Sequence, residues 1–294
     1  MNWDDMRVFL AVARAEGLSA AAPVLKLDPA TISRRILRLE ERMGAALFTK
    51  SPQGYALTDL GQRLRIHAST AEEALNLATE EQSSLNAGLS GQIRIGAPDG
   101  AANFLLPQVC AALQAENPGL ELQILALPRV VNLSKREADL AVTVSPPDTG
   151  RLLVQKVTDY RLHLAARSEM AAHIHDKPDL KGIPVVGYIP DMIFDKELDY
   201  LGDLGAGGVH LASNSVSVQM HMLRHSQAVG FVHDFALHCA PELRRVLMDH
   251  YSLCRSFYLV RHASDRHSQR LGQFAAAFSA RLKAEVTRLE AELA

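Results

Sequence analysis

The stretch Leu18-Ser19-Ala20-Ala21-Ala22-Pro23-Val24-Leu25-Lys26-Leu27-Asp28-Pro29-Ala30-Thr31-Ile32-Ser33-Arg34-Arg35-Ile36-Leu37-Arg38-Leu39 reads as two short helices around a tight turn. Ser19 is a natural N-cap for the first helix. Pro23 then falls at about the fourth helical position and removes only the first intrahelical bond. After the turn Lys26-Leu27, Asp28-Pro29 reads as an N-cap followed by an N1 proline. From Ala30 to about Met43, the residues Ile32, Ile36, Leu39 and Met43 share one apolar face. Thr31, Arg34, Arg35 and Arg38 therefore point elsewhere, and Ser33 lies at the edge. Gly44 stops the helix, because it can take a positive φ after the last turn.

Working outward, Trp3, Met6, Phe9, Leu10 and Ala13 recur at helical spacing and predict a first amphipathic helix. Downstream, Ala46–Thr49 and Tyr55–Thr58 are strand-like and flank Lys50-Ser51-Pro52-Gln53-Gly54, a turn-forming loop. Three helices, the last one basic, followed by a basic-tipped hairpin, form a winged helix-turn-helix pattern. Outward arginines on such a helix can reach phosphates or guanine edges in a major groove. The periodicity alone also fits a small helical bundle with a solvated arginine face.

These residues resemble the LysR-type transcriptional regulators. The resemblance rests on Phe9, Ala21-Ala22, Leu25, Ser33-Arg34, Ile36, Leu39-Glu40, Gly44, Leu47-Phe48, Leu57-Thr58 and Gly61, in that order and spacing. It covers residues 2 to about 66 and implies a DNA-binding domain over 1–58. Ser19, Thr31, Ser33, Arg34, Arg35, Arg38 and Lys50 are the implied DNA-contacting residues. The family often has glutamine where this chain has Pro29, which has no side-chain donor for base readout.

Thr58 caps a predicted long helix from Asp59 to about Asn86, ended by Gly88 and Gly91, so that 59–88 forms a linker. Leu60, Leu64, His67, Ala71, Ala74, Ala78, Glu81 and Leu85 repeat in steps of four and three, a heptad seam. The same seam fits a helix packed on its own domain. The resemblance implies a dimerisation helix, and thus a homodimer or homotetramer reading half-sites about one DNA turn, or a multiple, apart.

The remainder, 91–294, alternates strands and helices. Gln92–Ala97, Leu120–Leu125 and Asp139–Val144 read as strands, with helices over Ala101–Ala115 and Val130–Glu137 between them. This predicts a mainly parallel sheet whose ligands bind at the carboxyl ends of its strands. A second alternation from Asp159 supplies strands at Arg161–Ala165, Val185–Tyr188, His210–Ala212 and Val229–Val232, with helices over Val216–Ser226 and from Phe235. Tyr258-Leu259-Val260 crosses back before a last helix, Ser268 to about Leu293. The predicted class is α/β: a winged helix-turn-helix, a linker helix and a two-lobed periplasmic-binding-protein-like module. Its lobe I spans about 91–158 and 262–294, its lobe II about 159–261.

Arg136–Val142 and Ala228–Phe231 resemble recurring segments of the family's effector domain, which implies a small-molecule effector. Candidate ligand residues at predicted strand ends are Asp99, Arg129, Thr143, Ser145, Asn214 and Ser215. The family commonly has serine or threonine at the first strand's end, where it receives a carboxylate. Asp99 would repel one, so either the ligand presents a donor or cation there, or Asp99 simply caps the following helix.

Charge and composition narrow the function classes. The net charge of −2 averages a head of +3 over residues 1–65, with ten Lys+Arg against seven Asp+Glu, and a body of −5. A basic surface confined to one end suits DNA binding. Cys110, Cys239 and Cys254 form no CxxC pair. His221 and His225 are four apart but lack a HExxH context, so no metal or cofactor is expected. P-loop, GxGxxG and GxSxG motifs are missing, so an enzyme is not expected. With no membrane-length apolar run and no leader-like start, a cytoplasmic protein is expected.

Overall fold

The computed structural model describes residues 2–51, 54–83, 89–126, 133, 137–147, 150–174, 180–200 and 208–293. The chain divides into two compact units, Met1–Leu85 and Asn86–Ala294.

In the first unit, helix α1 (Trp3–Ala15) is capped by the Asn2 side chain, which accepts from the Asp4 amide. Helix α2 (Leu18–Leu25) begins earlier than predicted. Gly17 is its N-cap, and Ser19 lies exposed within the first turn, so the serine cap is not formed. Pro23 is consequently the sixth helical residue rather than about the fourth, and the amide it lacks is the one that would reach the Ser19 carbonyl. Helix α3 (Pro29–Met43) starts as predicted, with Pro29 at N1, and Gly44 closes it at φ 69°. Met6, Phe9, Leu10, Ile32, Ile36, Leu39, Leu47 and Phe48 interlock as the core.

Strands β1 (Phe48–Ser51) and β2 (Gly54–Leu57) form the antiparallel wing. The Thr58 hydroxyl donates to the Ala46 carbonyl and accepts from the Gly61 amide, which starts helix α4 (Asp59–Ser83). A Cβ on Gly61 would stand 2.2 Å from the Leu47 carbonyl oxygen, so the close crossing of α4 over the wing requires glycine there. Leu64 and Ala68 enter the same core and Leu60 packs against it, while His67 and Ala71 are exposed. The early apolar seam positions thus serve their own domain. The side chains of Ala74, Ala78, Glu81 and Leu85 lie outside the described residues.

In the second unit, β3 (Gly91–Ala97) leads into α5 (Asp99–Phe104) and α6 (Leu106–Glu116). The single helix predicted over Ala101–Ala115 is broken at Leu105, whose φ −124°, ψ −50° lies ahead of Pro107, a residue without an amide to continue the ladder. Strands β4 (Leu120–Ala126) and β5 (Leu140–Thr143) follow. The predicted helix over Val130–Glu137 falls largely outside the described residues.

The long strand β6 (Leu152–Arg167) is far longer than the predicted Arg161–Ala165. After it come α7 (Ser168–Ile174), β7 (Val186–Gly187), β8 (Leu211–Ala212), α8 (Val216–Arg224) and β9 (Gly230–His233). The segment from Phe235, predicted as a helix, is a short 3-10 turn over Asp234–Cys239. Strands β10 (Leu243–Arg245) and β11 (Ser252–His262) lead to the final helix α9 (Gln269–Ala291), which Ser268 caps through the Leu271 amide.

Seven strands form one sheet in the order β10-β6-β11-β5-β3-β4, with β9 also on β6. Only β4, β3 and β5 run parallel, whereas β11, β6, β9 and β10 pair antiparallel. The sheet is therefore mixed rather than mainly parallel, because β6 and β11 form one ribbon through both lobes. The predicted lobe limits near 158/159 and 261/262 fall inside those strands. β7 and β8 form a separate parallel pair. A Cβ on Gly230 would stand 2.8 Å from the Val186 carbonyl oxygen, so β9 and β7 approach as closely as glycine allows.

Candidate functional site

Two regions gather the predicted residues, one in each unit. In the first unit, the Asp28 carboxylate accepts from the Thr31 amide at 2.8 Å and the Thr31 hydroxyl at 2.7 Å. Those bonds, the hydroxyl's above all, hold the Asp28 carboxyl below its ordinary range. Thr31 therefore uses its hydroxyl proton at the cap. Ser33 is half-buried, as an edge residue should be, and Ser19 is exposed on α2.

The arginines of α3 fall into two groups. Arg34 is exposed and Arg35 half-buried, and among the described residues neither has an ion-pair partner. Arg38 instead donates from Nε, at 3.1 Å, and from Nη2 to the fully buried carboxylate of Asp5. Arg42 approaches the same carboxylate at 3.5 Å. Asp5 sits on α1 as a buried acid, and α3 supplies its countercharge. Glu40, from the other side of α3, accepts from the Leu47 and Phe48 amides at 2.7 and 3.2 Å and so positions the wing. Lys50 lies in β1, and its side chain lies outside the described residues.

In the second unit, the carboxyl ends of β3 and β5 bring Asp99, Thr143 and Ser145 to one edge of the sheet, while Asn214 and Ser215 lie just before α8. Asp99 is not the N-cap of α5. Pro98 holds that position, without a side-chain bond. The Asp99 carboxylate reaches across to α8, accepting from the Ser215 hydroxyl and the Ser217 amide, both at 3.1 Å. It also accepts from the Asn103 amide group at 3.1 Å. Ser215 is itself the N-cap of α8, so Asp99 occupies the positive end of that helix.

A second contact joins the same two sides. The Ser145 hydroxyl donates to Asp195, whose other oxygen accepts from the Glu197 amide at 3.0 Å. Thr143 turns inward, donating to the Ser145 carbonyl at 2.7 Å. Asn214 is half-buried beside Ser213, whose hydroxyl accepts from the Ser215 amide at 3.1 Å. Arg129 lies outside the described residues.

Tyr188, Asp199, Tyr200, Gln219 and Phe231 line a narrow pocket behind these contacts. Tyr200 meets Tyr188 and Phe231 edge-on, with centroids 5.9 and 6.0 Å apart. The hydroxyls of Tyr160 and Tyr200 are buried without a hydrogen-bond partner, and burial pushes both phenols well above their ordinary range. His233, whose Nδ1 also lacks a partner, is lowered by burial to about 3 and is neutral at physiological pH. Its ring lies where a Cβ on Gly100 would come within 3.2 Å. Behind it, His163 Nδ1 stands 2.8 and 2.9 Å from the two Asp234 oxygens, and Arg245 approaches Asp234 at 3.3 Å.

Asp5, Asp195, Ser217 and the three tyrosines were not among the predicted site residues. A lone acid on an amphipathic helix and aromatic residues in loops leave no spacing signal. His221 lies in the last turn of α8, whereas His225, four residues on, is the C-cap of that helix. Among the described residues, no group of three or more His, Cys, Asp and Glu side chains is placed to hold a metal ion. No described helix is long and apolar enough to cross a membrane.

Residues 3–62 match the family described as bacterial regulatory helix-turn-helix protein, lysR family, and residues 86–283 match the LysR substrate binding domain. An uncharacterized HTH-type transcriptional regulator of Sinorhizobium fredii, y4mQ, is 42% identical over 122 residues, 41% of this chain and 40% of that protein. The HTH-type transcriptional regulator DmlR of Escherichia coli is 28% identical over 184 residues, 62% of this chain and 60% of that protein. The chain thus spans between 40% and 60% of the length of these relatives. Among solved structures, a full-length OxyR variant from Pseudomonas aeruginosa has a TM-score of 0.72 at 17% identity, covering 96% of this chain and 94% of that one. Full-length LysG from Corynebacterium glutamicum, solved with bound effector Arg, has a TM-score of 0.64 at 18% identity, with 96% and 98% covered. At these identities the likeness to the solved structures is one of fold.

Proposed function

The chain belongs to the LysR family of bacterial helix-turn-helix proteins, and from that membership we propose that it is a DNA-binding transcriptional regulator controlled by a small-molecule effector. The single observation supporting DNA binding most directly is the state of α3. Arg34 and Arg35 have no ion-pair partner among the described residues, whereas Arg38 and Arg42 are held by Asp5. A helix whose scaffold arginines are anchored and whose neighbouring arginines are unengaged is ready to exchange water for phosphate or guanine. Ser19, Thr31, Ser33 and the wing residue Lys50 lie on elements that would flank the same groove. The protein acts by binding rather than by catalysis, on DNA in the cytoplasm.

The effector sits between the two lobes, where Asp99 and Ser145 meet α8 and Asp195. A ligand that changes those contacts shifts the balance of lobe arrangements and so the operator complex. Homodimers or homotetramers form through α4, whose exposed Ile66 and Leu75 offer apolar surface beyond the domain's own core. The linker and domain limits follow: DNA binding within 1–58, assembly through 59–88 and effector binding within 91–294.

Genomic fragments retained by the full-length protein, followed by gel shifts with the recovered sequence, test this reading. A recovered operator bound by wild type and lost on replacing both Arg34 and Arg35 with alanine supports it. Retention of no sequence over competitor DNA overturns it.

A further inference from the structure

The carboxylate of Asp99 is shared between the two lobes. Its Oδ2 accepts from the Ser215 hydroxyl and the Ser217 amide, both at 3.1 Å, while Oδ1 accepts from Asn103 Nδ2 at 3.1 Å. Asn103, one turn further along α5, also donates to the Asp99 carbonyl at 2.8 Å, so lobe I fixes the direction of the acid. Lobe II supplies what the acid meets. Ser217 is the second residue of α8, and an amide at that place has no carbonyl within its own helix to bond. The start of a helix also carries partial positive charge, which suits an anion. These are the donors that a carboxylate ligand needs, and a residue of this chain already supplies the carboxylate.

Two further observations bear on the same junction. The Ser217 hydroxyl is buried without a hydrogen-bond partner, so the first turn of α8 holds one donor more than Asp99 uses. The other concerns the neighbouring strand end. β5 pairs with β3, and just beyond β5 the Ser145 hydroxyl donates to Asp195 of lobe II. Two adjacent strand ends of lobe I thus each reach lobe II through a carboxylate and a serine. Asp99 gives the acid from lobe I, and Asp195 gives it from lobe II. Both bridges are made by the chain itself.

We propose that Asp99 serves α8 as a tethered carboxylate ligand. It fills the anion seat at the start of that helix and ties lobe I to lobe II, and a free small carboxylate takes the seat only when the Asp99 side chain is removed. The seat follows from the contacts above, while its bearing on regulation rests on the effector reading. On that reading, an effector that reaches the start of α8 has to displace Asp99, so ligand binding at this point releases a bridge.

Hydrogen exchange at the Ser217 amide of the full-length protein tests the proposal, read by mass spectrometry with fragmentation of the peptides that contain it. Formate at constant ionic strength is the probe, because it replaces the group that Asp99→Ala deletes. Exchange at Ser217 should be at least about tenfold faster in Asp99→Ala than in wild type, since the amide loses its charged acceptor. Formate should slow it again in a saturable manner and leave wild type unchanged. Asp99→Asn keeps the shape of the side chain but gives up the charge and one acceptor. It should show a smaller increase, and it keeps the test open if Asp99→Ala folds poorly. Equal Ser217 exchange in wild type and the variants, no effect of formate on Asp99→Ala, or the same slowing in wild type would overturn the proposal. These readouts use no operator. They can fail while the protein still binds DNA, and a failure to retain any operator leaves them unaffected.

Discussion

Arg38, on the helix that carries the unengaged arginines, grips the fully buried carboxylate of Asp5 on the first helix through two of its guanidinium nitrogens. The pair joins α1 to α3, so part of the positive charge along α3 is structural. Asp5 raises the Arg38 guanidinium further above its ordinary range, the hydrogen bond contributing more than the charge. Removing Arg38 leaves a buried acid with only Arg42, at 3.5 Å, to balance it. Arg38→Ala should therefore lower the melting temperature by at least about 4 °C, whereas Arg34→Ala leaves it nearly unchanged. Adding Asp5→Asn to Arg38→Ala should restore part of the loss. Equal melting temperatures for the two single variants would return Arg38 to the DNA-contacting set.

Arg34→Ala should weaken operator binding by about 1–3 kcal/mol if the guanidinium meets a base edge, and should flatten the salt dependence by about one ion if it meets a phosphate. Fluorescence anisotropy at several salt concentrations distinguishes these two contacts. An unchanged isotherm at every salt concentration removes Arg34 from the interface.

Gly61→Ala places a methyl group against the Leu47 carbonyl oxygen, where the added atom would stand only 2.2 Å away. Backbone must shift to relieve it, at a cost of about 1–3 kcal/mol or more. Thermal melting of the full chain should show the first unit unfolding earlier while the second keeps its own transition. Operator binding should fall in parallel. A variant as stable as wild type would mean that α4 can slide without loss.

His233 supplies a pH dependence whose sign follows from its depressed value. The unfolded imidazole binds a proton near its ordinary pKa of 6.5, whereas the folded one, buried and without a partner for Nδ1, waits until about 3. Between those limits the unfolded state holds more protons, so stability should fall as pH drops, by up to about 1.4 kcal/mol per pH unit. His233→Gln, neutral throughout, should flatten this part of the profile. Identical slopes for wild type and variant between pH 6 and about 4 would show that other groups control acid unfolding.

How much of this was legible in the chain depended on how far apart the cooperating residues lie. Asp28-Pro29, the Ile32–Ile36–Leu39 stripe and Gly44 are local signals, and α3 formed where they placed it. Asp5 carried no such signal, since its partners lie on another helix. The α5–α6 break was written in Pro107, but a continuous apolar run hid it. β6 was read short because Gln155-Lys156 and Thr158-Asp159 interrupt the apolar alternation. Those residues belong to an extended ribbon, half-solvated as it passes between the lobes. Asp99 stands out by its charge, but only its capping of α5 is excluded by the structure, and its partners on α8 leave no local signal because they lie more than a hundred residues away.

That ribbon also limits how the cleft can open. β6 and β11 pair along nearly their full length, with the register interrupted between Phe257 and Tyr258, where Val157 has no direct partner. Swinging the lobes apart like a door would break ladder bonds, each worth about 1 kcal/mol. Twisting the ribbon about its long axis at that irregularity keeps them, since a bulge concentrates twist. The two lobes of the second unit are thus joined by a ribbon that yields to rotation about its own length more readily than to being pulled apart.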